Sequence, residues 1–312
     1  MGAGLSRNIF RDMPLMKDLL PVAARVIRGR SKNLLAQLER LGDNIELWMS
    51  YLAQSPPWLS DADGLYNQSV FARLSRAIAE EVFDRQNAAL ARPAPPWLLD
   101  LVRKWHERRS IVLSLNYDAL IEKALYEIAG SPYPVPYQIP VPPIDARDGL
   151  AAYGQEHVAT MRLFKLHGSV NWYYHGPRAG SHGIHNLLLN FGWSRDSLAD
   201  HVEEIGGLEP LVVPPVIVKD PYFANDSLRE QWRIAGGAAS GVKRLVLIGY
   251  SLPVADQLMR FFLETTVDPA DVIVVDTEDG VADRAQKAFP KSHVNRDFVG
   301  GPDPISQFAT WY

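Results

Sequence analysis

His167 is the residue whose type and setting best suit moving a proton. It sits in KLHGSVNW (Lys165 to Trp172), after the apolar run Met161–Phe164, where a strand gives way to a glycine turn. Imidazole titrates near neutral pH, so a histidine on such a rim can serve as a general base or face a ligand. Asn116 and Asp118 close a second junction of this kind, in IVLSLNYDALIEKAL (Ile111 to Leu125). An asparagine amide donates and accepts at once, which suits a water or a ribose hydroxyl. A carboxylate two residues on can orient an amide or stabilise positive charge. The same two residues could equally cap the following helix, because Asx side chains commonly start helices.

Two further loops belong with these. The chain opens on GAGLS, so Gly2, Ala3, Gly4 and Ser6 form a glycine loop leading into a helix. Such a loop lets the backbone approach a diphosphate, although Arg7 stands at the third glycine position of the dinucleotide pattern GxGxxG. Gly4→Val is expected to weaken diphosphate binding and leave the fold intact. RLVLIGYSLPVAD (Arg244 to Asp256) ends a strand on Gly249 and Ser251. Asp276, at the end of the next apolar run, can hold ribose hydroxyls or cap the following helix. Ligands of open α/β sheets sit outside the carboxyl ends of the strands, so these junctions point to one crevice. His175, His182, His185 and His201 invite a metal reading, but no carboxylate or cysteine completes a familiar spacing. No metal is therefore expected.

The elements that must position these residues read as follows. Apolar residues at helical spacing mark helices over Met13–Gly29, Ser31–Leu41, Ile45–Ala53, Asn67–Ala91 and Trp97–Glu107, with Asp43 and Glu46 as a capping box. Residues 13–108 thus form a helical insertion, or cap, within one domain spanning 1–312. Strands follow at Ile111–Leu115, Met161–Leu166, Leu211–Val218, Arg244–Ile248 and Asp271–Val275, alternating with helices. Segments 131–160 and 173–207 are smaller connecting insertions; the first holds the prolines of Ser131 to Pro143. Continuous apolar strands alternating with helices predict an α/β fold with a doubly wound, mostly parallel, Rossmann-like sheet. The glycine loop lacks the buried strand that normally precedes it. Either a longer native chain supplies that strand, the expectation preferred here, or the sheet keeps a groove beside Ile111–Leu115 that invites another strand.

Composition sets the outer limits. The 312 residues carry a net charge of −4, which gives no electrostatic case for nucleic-acid binding. The absence of cysteine removes disulfides, thiolate zinc sites and a cysteine nucleophile, and fits a cytoplasmic protein. No apolar run is long enough to span a bilayer, so no membrane partner is expected.

GAGLS, LNYDALIE, KLHGSVNW, VPPVIVK, QWRIA and GYSLPVAD, in that order, resemble the sirtuin-like NAD-consuming domains of bacterial anti-phage defence systems. The match runs from Gly2 to about Phe289, and DNIELWMSYLAQSPPWL looks like the helical insert of that family. The resemblance implies that Asn116 and His167 are the catalytic pair and that Asp118 faces nicotinamide. It places Gly2, Gly4 and Ser6 on the phosphate loop, and Gly249 and Ser251 on the adenosine side. Two departures count against protein deacylation. The four-cysteine zinc module is missing, and RNIFRDMPLM replaces the family's GIPDFR segment. The expectation is an NAD glycohydrolase, with NAD as substrate and a homo-oligomer or a partner defence protein as trigger. The alternatives are an NAD-binding sensor or assembly module without turnover, and an NAD-dependent deacylase or ADP-ribosyltransferase.

Overall fold

Strand alternation in this chain feeds two faces at once, and that decides the layering. The computed structural model describes residues 1–28, 32–42, 44–54, 56–129, 136–139, 141, 159–175, 184–186, 208–217, 219 and 223–312, with backbone alone at 32, 33, 35, 185 and 186. Strands β1 (Ile111–Ser114) and β2 (Arg162–Lys165) pair in parallel. Strands β6 (Arg244–Ile248), β7 (Asp271–Asp276) and β8 (His293–Val299) form a second parallel sheet, in that order. A third, antiparallel sheet places β3 (Gly168–Tyr174) between β4 (His185–Asn186) and β5 (Glu209–Val212).

Both parallel sheets pack between the same two helix layers. Val112, Leu163, Ile248, Ile273 and Val275 point to one face, against α6 (Pro96–Glu107), α7 (Leu120–Ala129) and α11 (Pro304–Trp311). Phe164, Leu247, Val272 and Val274 point to the other. There they meet α8 (Asp226–Ala239), α9 (Gln257–Thr266) and α10 (Gly280–Ala288). Val272, Val274 and Val275 are fully buried, each contributing about 1.5–3 kcal/mol relative to exposure. The mixed α/β class therefore stands. The described strands, however, form small separate sheets, with no ladder joining β1 to β6.

The amino-terminal block is helical. It comprises α1 (Ala3–Ile9), a 3-10 turn at Met16–Leu19, α2 (Leu20–Ile27), α3 (Lys32–Arg40), α4 (Ile45–Ala53) and α5 (Asp61–Leu90). Trp48, Met49, Leu52, Leu74 and Ile78 form its own core. The cap of α4 differs from expectation. Asn44 accepts from Leu47 N at 3.0 Å, whereas Asp43 lies outside the described residues. Helix α5 starts earlier than its apolar pattern, because Ser60 accepts from Asp63 N at 3.2 Å and supplies the cap.

Beside the short β4, three of the described elements went unread in the sequence. Strand β3 continues directly from the His167 turn. Gly168 opens it at φ +77°, and an added Cβ would lie 2.0 Å from Leu211 O. Strand β8 carries consecutive polar residues, Asn295 to Asp297, at a sheet edge, and α11 brings Phe308 into the core while leaving Trp311 exposed. The expected helix near Ser194–Ile205 and most of the two connecting insertions lie outside the described residues.

Candidate active site

The glycine loop folds back onto the carboxyl ends of β1 and β6. Gly2 N donates to Ile248 O and Gly4 N to Gly249 O, both at 3.0 Å. A Cβ on Gly2 would meet Gly249 O at 2.7 Å, and one on Gly4 would meet Gly249 Cα at 2.8 Å. Gly249 itself sits at φ +54°, with space for a Cβ blocked by Leu5 N at 2.3 Å. These glycines are required by backbone-to-backbone packing. Gly4→Val is therefore expected to destabilise the fold as well, because one of the two backbones must shift to admit the side chain. The amides of Gly2, Gly4 and Leu5 are spent on Ile248 O, Gly249 O and Gly2 O.

The loop also organises the residues after β1. Asn116 Nδ2 donates to Gly2 O at 3.0 Å and to Ser6 Oγ at 2.8 Å. Ser6 Oγ in turn donates to Asp118 Oδ2 at 2.6 Å. Gly2 O can only accept, so the amide orientation is fixed. With both Nδ2 hydrogens engaged, Oδ1 is the atom left to accept from a ligand. Asp118 Oδ1 accepts from Leu120 N at 3.2 Å, so it caps the turn into α7 as well as joining the cluster. Ser6, Asn116 and Asp118 are all buried. The loop at residues 2–6 and the β1 end thus come together as the sequence implied.

His167 lies one strand over, in the turn between β2 and β3, also buried. The Leu115 carbonyl accepts from its ring, while Nε2 is buried without a hydrogen-bond partner among the described residues. Burial lowers its pKa from 6.5 to about 4; nearby Lys219 acts in the same direction, and Asp256 and the Leu115 contact oppose it. At neutral pH the ring is therefore neutral, with a lone pair available to accept a proton.

Beside His167 is a charged group that spacing did not reveal. Lys219 Nζ bonds Asp256 Oδ1 at 2.5 Å, and Tyr250 OH donates to Asp256 Oδ2 at 2.9 Å. Both members of the ion pair are about 6% exposed. Burial works to raise the Asp256 pKa, yet His167, Lys219 and Tyr250 together hold it below the usual range. Glu46 on α4 is pushed up by burial, with Lys219 opposing. Lys165, also buried, pairs with Glu122 at 3.4 Å and reaches the Asp118 carbonyl. Gln231 brackets Lys165, accepting from its N and donating to its O at 2.7 Å each. Lys219 ends VPPVIVK and Asp256 ends GYSLPVAD, so the quoted motifs held both residues without assigning either a role.

The remaining expectations are placed as follows. Ser251 accepts from Arg284 Nε at 2.7 Å through its carbonyl. Asp276 ends β7 on the same sheet edge as Gly249, accepts from Glu278 N at 3.0 Å, and has its pKa raised chiefly by burial. Among the described residues, neither is hydrogen-bonded to Ser6, Asn116 or Asp118 in the contacts that place them. His182 and His201 lie outside the described residues, and the side chain of His185 is not described. A scan against protein-family models finds no match, and a search of curated proteins finds none either.

Proposed function

We propose that the protein is an NAD glycohydrolase of the sirtuin-like kind, built on a doubly wound, Rossmann-like arrangement with the helical block as its cap. The observation that carries this reading is the pairing at adjacent strand ends of the Gly2–Asn116–Ser6–Asp118 network with a buried, neutral His167 whose Nε2 is unpartnered. Cleaving the nicotinamide–ribose bond releases neutral nicotinamide and leaves positive charge on the ribose, as in glycoside hydrolysis. Because the leaving group is already cationic, no strong general acid is needed. Asn116 Oδ1 holds a ribose hydroxyl or the attacking water. Water adds to the ribose carbon, its proton passes to His167 Nε2, and free ADP-ribose results. The carboxylate of Asp118, fixed by Ser6 and Leu120, supplies negative charge near the developing cation.

In this reading the Gly2–Ser6 loop, including Ala3, borders the diphosphate. Gly249 and Ser251 lie toward adenosine, and Asp276 toward a ribose hydroxyl. The setting is a cytoplasmic anti-phage response, triggered by self-assembly or by a partner defence protein. The test is to incubate the purified protein with NAD and quantify nicotinamide and ADP-ribose, with no peptide present. His167→Ala and Asn116→Ala should each lower turnover at least ~100-fold, and chelators should leave it unchanged. Near-normal turnover in either variant, or a need for an acylated peptide or a metal, refutes the assignment. Binding of NAD without nicotinamide release identifies the sensor instead.

A further inference from the structure

One segment touches three loops of the candidate site and the helical block as well. It follows β5 and covers residues 213–217, with Lys219 beyond. Val213 N donates to the His167 carbonyl at 2.9 Å, and Val213 O accepts from Tyr117 OH at 2.6 Å. Tyr117 stands between Asn116 and Asp118, and its own carbonyl accepts from Val170 N on β3 at 2.9 Å. Val213 thus ties the His167 turn to the Asn116 loop. Four residues on, Ile217 N donates to Ser50 Oγ on α4 at 2.8 Å. Val216 is buried in the core that Trp48, Met49 and Leu74 form within the helical block. Lys219 reaches the loop after β6, where it pairs with Asp256, which Tyr250 OH also holds. Glu46, one turn before Ser50 on α4, lies within electrostatic reach of that pair.

The segment is also stiff. Pro214 and Pro215 have φ locked at about −65°. Each also restricts the residue before it, so Val213 and Pro214 are held extended. Val216 N closes back onto Pro214 O at 2.8 Å. Little backbone freedom is left between Ile217 and Val213 to absorb a displacement. We propose that residues 213–217 are a brace through which the helical block sets the position of His167 relative to Asn116, with Ser50 and Tyr117 as positioning residues at its two ends. Lys219 on Asp256 anchors the chain beyond the brace to the loop after β6. Resting on the glycohydrolase reading above, the brace has a regulatory consequence. Whatever displaces α4 changes the alignment of the two catalytic groups, and so turnover, without entering the substrate site.

The test reads amide hydrogen exchange in Ser50→Ala without NAD, and then NAD turnover. Loss of the hydroxyl frees the Ile217 amide directly. The Val213 amide, bonded to His167 O, should also exchange at least about tenfold faster relative to the β7 amides of residues 272–275. Tyr117→Phe releases Val213 O at the other end and should speed Ile217 in return. Ser75→Ala removes a comparable hydroxyl bond on α5, from Ser75 Oγ to Phe71 O at 2.9 Å. It should leave both amides within about twofold of wild type. In turnover, Ser50→Ala should lower kcat at least about fivefold and leave KM within about twofold, the split expected of misalignment rather than lost binding. Faster exchange confined to Ile217, or equal acceleration at Val213 in Ser75→Ala, overturns the brace. Unchanged kcat in Ser50→Ala, with an active wild type, overturns its hold on the catalytic pair. A wild type that releases no nicotinamide refutes the glycohydrolase reading instead, and the exchange result still decides the brace.

Discussion

Replacing His167 by Gln removes a single buried titration and should change how stability depends on pH. In the folded chain His167 resists protonation until about pH 4, whereas its ordinary value is 6.5. Below 6.5 the unfolded chain therefore takes up a proton that the folded chain refuses. The stability tied to the neutral ring is fully present above pH 6.5 and is lost as pH falls from there to about 4. At about 1.4 kcal/mol per pKa unit the full loss is about 3 kcal/mol. Between pH 7.5 and pH 5 it amounts to about 2 kcal/mol. The Met1 amine, lowered from 8.0 to about 5 by burial, also loses stability over an overlapping range as pH falls. The informative quantity is therefore the difference between wild type and variant. Urea unfolding at closely spaced pH values should show wild type losing about 2 kcal/mol more than His167→Gln over that interval. The acid limb of wild-type NAD turnover should lie near pH 4. Identical pH dependence in the two proteins, or an acid limb at 6.5, refutes the account of a desolvated, neutral base.

Two further perturbations follow from packing and charge. Gly168→Ala forces a Cβ to 2.0 Å from Leu211 O at a residue with φ +77°, and should cost at least about 3 kcal/mol in denaturant unfolding; Gly4→Val should cost about 1–3 kcal/mol by the same assay. Asp256→Asn strands the buried Lys219 ammonium and should destabilise by about 3–5 kcal/mol, whereas Lys219→Met with Asp256→Leu should be milder than either single change. A double variant at least as unstable as the sum of the singles would show that the pair's charge is not the cause.

The layers were readable because β6 and β7 are continuous apolar runs, which a strand buried on both faces requires. Strand β8 escaped notice because HVNRDFV at a sheet edge carries polar side chains outward and offers no apolar run. Strand β3 escaped because Gly168 reads as a turn residue, and only the approach of Leu211 O shows why a strand must begin with it. Lys219 and Asp256 are 37 positions apart. Their pairing leaves no periodic trace, and each alone reads as an ordinary polar residue after a turn. His167, Asn116 and Asp118 were identifiable as candidates by type. Asn116 as an oriented acceptor is a tertiary result, since it depends on Gly2 O and Ser6.

The glycines of the opening loop show how one sequence feature can satisfy two readings and still choose between them. A phosphate-binding loop needs glycine so that its amides can reach the ligand. Here the amides of Gly2, Gly4 and Leu5 are already committed to Ile248, Gly249 and Gly2 carbonyls. The glycines instead let this segment lie against Gly249, at distances no Cβ would permit. That approach fixes Gly2 O, which fixes the Asn116 amide and leaves Oδ1 as its free acceptor. In the proposed reading, the loop serves NAD by way of the Asn116 and Ser6 side chains that it positions.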